Sequence, residues 1–213
     1  KLEIITPETA ESFLEGSGLD DRWKSLNCIA HRCDCIRVGV IKARGGWWID
    51  ADTVLLLDPV TAAGNFKQFL YSRWKDGRVL NGYFFSPANG ALVSEWLERV
   101  NYELARPGEV RQWTTFGEPI LSALVYLKFA GSREVHEISR ETFLPINIDR
   151  IPGVFFEPVD FKPFLRPQSV AVGLNHSYFC DNHKEFVKQA RQQVLGSENL
   201  INRLMKKALL CDS

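Results

Sequence analysis

The sequence predicts a single α/β domain, a largely parallel central sheet flanked by helices. Three observations predict it. Short apolar runs bounded by Gly and Pro alternate with segments whose apolar residues recur at helical spacing. Helix boundaries are punctuated, by Thr6-Pro7-Glu8 at one start and by Arg44-Gly45-Gly46 at one end. A chain of 213 residues, 45% hydrophobic and 24% charged, is long enough to bury one sizeable core.

Taken in order, Lys1–Ile5 reads as a short strand, followed by a helix capped by Thr6 and ended by Gly16–Gly18. From Cys28 to Ala43 the residues Ile29, Cys33, Ile36, Val40 and Ala43 fall on one helical line. Trp47–Leu57 reads as one strand stopped by Asp58-Pro59. Arg78–Ser86 is a strand, Ala91–Leu104 and Glu118–Phe129 are helices, and Val170–Leu174 is a short strand. Residues 145–168 hold five of the ten prolines and read as a wrapped loop. Lys184–Leu210 is a basic amphipathic helical region, expected to pack on the domain, with peripheral contact to an anionic membrane surface as the alternative.

Composition narrows the function. Lys and Arg total 26 against 26 Asp and Glu, so no broad basic field invites nucleic acid. No apolar run approaches the roughly 20 residues that span a bilayer. Five cysteines without paired CxxC spacing argue against a zinc site and for reduced thiols. A cytoplasmic setting, or the cytoplasmic face of a membrane, is expected, with a targeting segment upstream of Lys1 left open.

The chemistry gathers at Gly45-Gly46-Trp47-Trp48-Ile49-Asp50-Ala51-Asp52. In an extended segment, side chains at i and i+2 share a face, so Asp50 and Asp52 would converge. Two carboxylates that close repel unless a cation sits between them, and Mg²⁺ or Mn²⁺ suits oxygen donors. A pair of solvated acids at a strand end is the alternative. On the preceding helix Asp34 and Arg37 stand three apart, neighbours that read either as an ion pair or as paired hydrogen-bonding groups for a ligand.

The stretch from Ala30 through Asp52, with Asp34-x-x-Arg37, Gly45-Gly46, an aromatic strand and Asp50-x-Asp52, resembles the sugar-binding region of GT-A type nucleotide-sugar glycosyltransferases. The likeness is to the yeast mannosyltransferase and large clostridial toxin group, and it covers residues 30–59. It implies a GT-A (Rossmann-like) catalytic domain over 1–213. It also implies a preceding strand and helix that carry a base-stacking aromatic; nothing here corresponds to them, so an N-terminal portion is expected upstream. By the same likeness Asp52 would ligate Mn²⁺ or Mg²⁺ on the diphosphate of a UDP- or GDP-sugar, and Asp50 would contact the sugar or ribose and the metal shell. Asp34 and Arg37 would hydrogen-bond the donor sugar.

Further positions follow from the resemblance. Asn81, in Leu80-Asn81-Gly82-Tyr83, matches an Asn that contacts the donor sugar, although an Asn before Gly82 also orders a turn. Gly117, in Phe116-Gly117-Glu118-Pro119, matches a Gly-Pro segment near the acceptor, interrupted here by Glu118. That carboxylate would serve as general base toward a glycan or other hydroxyl acceptor, or open the following helix. The family favours retention of configuration; Glu118 as base would give inversion. His176 and Ser177, after Val170–Leu174, would touch the metal and the diphosphate. One of Trp74, Trp96 and Trp113 is a candidate for stacking on sugar or base. Two rivals remain. Asp50-Ala51-Asp52-Thr53 also fits a haloacid-dehalogenase-like phosphatase with Asp50 as nucleophile, and a non-catalytic sugar-nucleotide-binding module would keep Asp34 and Arg37.

Overall fold

The computed structural model describes residues 2–60, 66–106, 112, 114–146 and 162–174. The chain divides into two compact units, Lys1–Ile49 with Asn65–Ile138 and Asp50–Gly64 with Ser139–Ser213. The class is mixed α/β.

In the first unit, α1 (Ala10–Leu14) and a 3₁₀ turn (Asp21–Ser25) precede the long α2 (Ile29–Arg44). Residues 2–5 carry no strand. The basic last turn and Gly45 end α2 as expected. Gly45 sits at φ +67°, its N–H bonds the Ile41 carbonyl at 2.8 Å, and a Cβ there would lie 2.5 Å from the Ala88 nitrogen. β1 (Gly46–Ile49) follows, then β3 (Phe69–Arg73), β4 (Val79–Ser86) and α3 (Ala91–Ala105). After α3 come α4 (Glu118–Ala123), a π-helical turn (Leu124–Lys128) and β5 (Val135–Glu137).

The expected parallel sheet is not what forms. The strand order is β1-β4-β3-β5; β4 pairs antiparallel with both β1 and β3, and only β3 and β5 run parallel. The reason is local. β3 and β4 are joined by the tight turn Trp74–Arg78, in which the Trp74 N–H bonds the Arg78 carbonyl at 2.8 Å and Gly77 takes φ +92°. A connection that short can only reverse the chain.

The helix α3 lays Leu92, Val93, Trp96, Leu97, Val100 and Leu104 into the core of this unit, with Phe69, Phe84, Phe116, Leu121 and Leu124. On α2 the apolar line expected turns inward only in part: Val40 is buried and Ile36 packs on the core, but Ile29 is 71% exposed and Cys33 is exposed. The residues turned inward are His31, Asp34, Cys35, Arg37, Val38, Val40 and Ile41. Two charges lie on the buried side, which becomes affordable only if they satisfy each other.

In the second unit, β2 (Thr53–Leu55) pairs antiparallel with β6 (Ala171–Gly173), with Val54 opposite Val172. Val54, Phe143, Leu144, Ile146, Val170, Ala171 and Val172 are its described buried apolar residues. The Val170 N–H bonds the Thr142 carbonyl at 2.7 Å, tying the 3₁₀ turn Arg140–Thr142 to the strand. The expected continuous strand Trp47–Leu57 is therefore two strands in two sheets, broken at Asp50–Asp52. Among the described residues no helix is long and apolar enough to cross a membrane. The region 184–210 lies outside the described residues.

Candidate functional site

In the first unit, Asp34 and Arg37 occupy successive turns of α2, so their side chains meet, Arg37 Nε standing 3.4 Å from Asp34 Oδ1. Only 6% and 7% of these residues remain exposed. An ion pair buried that deeply loses hydration that neighbouring dipoles must replace. β4 supplies them through one residue. Asn81 donates from Nδ2 to Asp34 Oδ1 at 3.0 Å, and its backbone carbonyl accepts from Arg37 Nη1 at 2.5 Å. β1 adds an aromatic face, the Arg37 guanidinium lying 5.5 Å from the Trp48 ring centroid. Helix and two strands are thus joined by one acid–guanidinium–amide network.

Gly117 closes it. A Cβ on this residue would fall 2.3 Å from Asn81 Nδ2 and 2.7 Å from Asp34 Oδ2, so only glycine lets the backbone approach so near. The turn that delivers Gly117 is tied down twice. The Gln112 carbonyl accepts from Thr115 N–H at 3.0 Å and from Thr115 Oγ1 at 2.8 Å, and lies 2.7 Å from His31 Nε2. Because a carbonyl only accepts, His31 carries its proton on Nε2. The Trp96 indole N–H donates to the Phe116 carbonyl at 2.9 Å, and His31 meets the Phe116 ring edge-to-face at 5.3 Å.

Glu118 begins α4 directly after Gly117 and pairs with Arg78 Nη1 at 3.0 Å. Burial pushes its carboxyl above the usual range, while Arg78 pulls the other way. A carboxyl so placed can hold or release a proton, as a base must, and it also opens the helix.

In the second unit, Asp50–Asp52 forms a bend rather than the extended entrance expected, so alternation along a strand does not bring the two carboxylates to one face. Asp50 and Asp52 are both half-buried. The Asp52 carbonyl accepts from Leu174 N–H at 2.8 Å, just past the Thr53–Gly173 pair. His176 and Ser177 come two and three residues after Leu174 in the chain and lie outside the described residues. Among the described residues, no three His, Cys, Asp or Glu side chains gather to hold a metal ion. As donors, Asp50 and Asp52 offer hard carboxylate oxygens, the Asp52 backbone being held by Leu174 just past β6, a chemistry that would suit Mg²⁺ or Mn²⁺.

Comparison of the chain with protein families, with curated proteins and with solved structures returned no match.

The structure thus brings Asp34, Arg37, Asn81 and Gly117 into one contact network, with Glu118 beside it in sequence but turned to Arg78. Sequence reasoning gave His31 no part in the site and missed the buried role of Trp96, offered there as a stacking surface but fully enclosed. A signal existed for His31: positions 31, 34 and 37 repeat every three residues and share a helix face.

Proposed function

We propose that this chain is a metal-dependent glycosyltransferase of GT-A type that moves a sugar from a nucleotide-diphosphate sugar to a hydroxyl acceptor. The observation that carries the reading is the buried Asp34–Arg37–Asn81 network. One turn pair of α2 and a residue of β4 more than forty positions later, each matched by the resemblance to a donor-sugar contact, form one cluster of carboxylate, guanidinium and amide. Such a cluster offers acceptors and donors together, which neighbouring sugar hydroxyls require. Trp48 keeps the guanidinium plane fixed, so little orientation is lost when a hydroxyl binds.

Asp50 and Asp52 are the residues that would hold the cation. Bound there, it would stabilise the negative charge that develops on the departing diphosphate. Glu118 would take the acceptor proton in an inverting reaction, its raised carboxyl range suiting a base.

The test is a thermal-shift panel of UDP- and GDP-sugars with and without Mn²⁺, repeated on Asp52→Ala and Asp34→Ala. A donor at 100 times its Kd stabilises by about 2.7 kcal/mol, a rise of roughly 5–10 °C for a chain of this size. The rise should need Mn²⁺ and vanish in Asp52→Ala. Shifts indifferent to metal and to Asp52 would overturn the reading. Phosphate release from phosphate esters, with Asp50 phosphorylated, would replace it with the phosphatase, and donor binding without transfer with the binding module.

A further inference from the structure

We infer that His31 is a positioning residue for the Asp34–Arg37–Asn81 network, acting through the turn that carries Gly117; its consequence for donor binding rests on the glycosyltransferase reading. Gly117 approaches Asn81 and Asp34 so closely that there is no room for a methyl group. A displacement of a few tenths of an ångström in that turn therefore changes how the Asn81 amide meets the Asp34 carboxylate. Beyond the bonds within the turn itself, His31 and Trp96 grip it from two helices. His31 donates from Nε2 to the Gln112 carbonyl at 2.7 Å and sets its ring against Phe116, while Trp96 donates to the Phe116 carbonyl at 2.9 Å.

Trp96 belongs to α3, so its bond fixes the turn to a neighbouring helix. His31 belongs to α2, the helix that also carries Asp34 and Arg37, at spacings of three and six residues. One rigid element thus presents the acid, the guanidinium and the donor that holds the opposite wall. The wall is thereby registered directly to the charges it closes. His31 is 6% exposed, which shields its bond from competing water.

Three proteins test this: the wild-type chain, His31→Leu, which keeps bulk and loses the donor, and His31→Gln, which restores an N–H toward the carbonyl. The readout independent of any ligand is the Asn81 side-chain amide signal in a ¹⁵N-correlated spectrum, assigned with Asn81→Asp. It is recorded well below each variant's melting temperature. The second readout is Kd for the UDP- or GDP-sugar that gives the largest shift with Mn²⁺. In His31→Leu the Asn81 signal should move and its protons exchange faster, and Kd should rise about three- to tenfold, the range that one lost hydrogen bond spans. His31→Gln should bring both back to within about twofold of wild type.

An Asn81 signal unmoved in His31→Leu, or moved and not restored by glutamine, overturns the inference. Should the signal move and recover while the wild-type chain binds no nucleotide sugar, the positioning role holds and the glycosyltransferase reading falls. Should the wild-type chain bind a donor that His31→Leu binds equally well, the positioning role falls and that reading holds.

Discussion

Gly117→Ala is the most demanding single perturbation of this protein. The added methyl would stand 2.3 Å from Asn81 Nδ2, 2.7 Å from Asp34 Oδ2 and 3.0 Å from Asp34 Cγ. Comfortable contact begins near about 3.5 Å, so the closest overlap is roughly 1.2 Å. Both obstructing atoms end side chains, which ordinarily swing away at little cost. Here the two side chains are tied together, Asn81 Nδ2 donating to Asp34 Oδ1 at 3.0 Å, and Asp34 is enclosed. Relief must therefore come from overpacking strain of about 1–3 kcal/mol, from loss of a charge-assisted hydrogen bond of about 1.5–3 kcal/mol, or from a share of each. The expected destabilisation is about 2–4 kcal/mol, or a urea midpoint lower by about 1 M.

Tryptophan fluorescence is the natural assay, because all six tryptophans fall within the segments of the first unit. Its unfolding is read without interference from the second. Specificity comes from a double-mutant cycle with Asn81→Ala, which removes the deeper of the two obstructions. The penalty of Gly117→Ala should shrink by about 1 kcal/mol or more in that background. A Gly117→Ala chain within about 0.5 kcal/mol of wild type, or an equal penalty in both backgrounds, would refute the reasoning.

Three other outcomes are expected. Asp34→Ala leaves the Arg37 guanidinium buried beside a missing carboxylate and should cost about 3–5 kcal/mol in urea unfolding; Asp34→Ala/Arg37→Ala should recover part of that loss. Glu118 keeps its proton to a higher pH in the folded chain than its ordinary 4.5, because burial outweighs Arg78. The folded state should therefore lose stability as pH rises from 4.5 through the raised range, and Glu118→Gln should flatten that slope in melts run across pH. Asp20 caps the 3₁₀ turn and grips Arg22, holding its carboxyl at about 2 instead of 3.8. Its stabilisation is complete above 3.8 and fades as pH falls through about 2. At neutral pH, where the partly exposed pair is screened by water, Asp20→Asn should cost about 0.5–1 kcal/mol, a difference that closes in acid melts.

How far the chain could be read in advance depended on where local chemistry decided the outcome. α2 ended where Arg44 and Gly45 said it would, since helix termination is settled by a few backbone groups. α3 was legible because its apolar stripe faces one core. The direction of the strands was not. Alternating helices and strands leave open whether neighbours run parallel, and the deciding feature was Asp76-Gly77, an unread hairpin signal between two apolar runs, the first of them β3 itself. The buried face of α2 was misjudged for another reason. The apolar line expected on α2 left out Asp34 and Arg37, each alone costly to bury; together, with Asn81 contributing both its amide and its carbonyl, they are not. Asp34, Arg37, Asn81 and Gly117 were named from motif likeness, whereas His31, which secures the turn beside them, carries no motif and emerged only from geometry.

The π-helical turn after α4 has a quieter consequence. Its Phe129 N–H reaches back five residues to the Leu124 carbonyl at 2.9 Å, and Leu127 projects into water, 84% exposed. A wide turn of this sort harbours one surplus residue. Excising Leu127 would let the coil close to ordinary pitch while Phe129 stayed in the interior and the Lys128 ammonium kept its ion pair with Glu95, now 2.5 Å. The same excision within Glu118–Ala123 would swing all that follows by roughly 100°. Length can change at this slot and almost nowhere else along the helix.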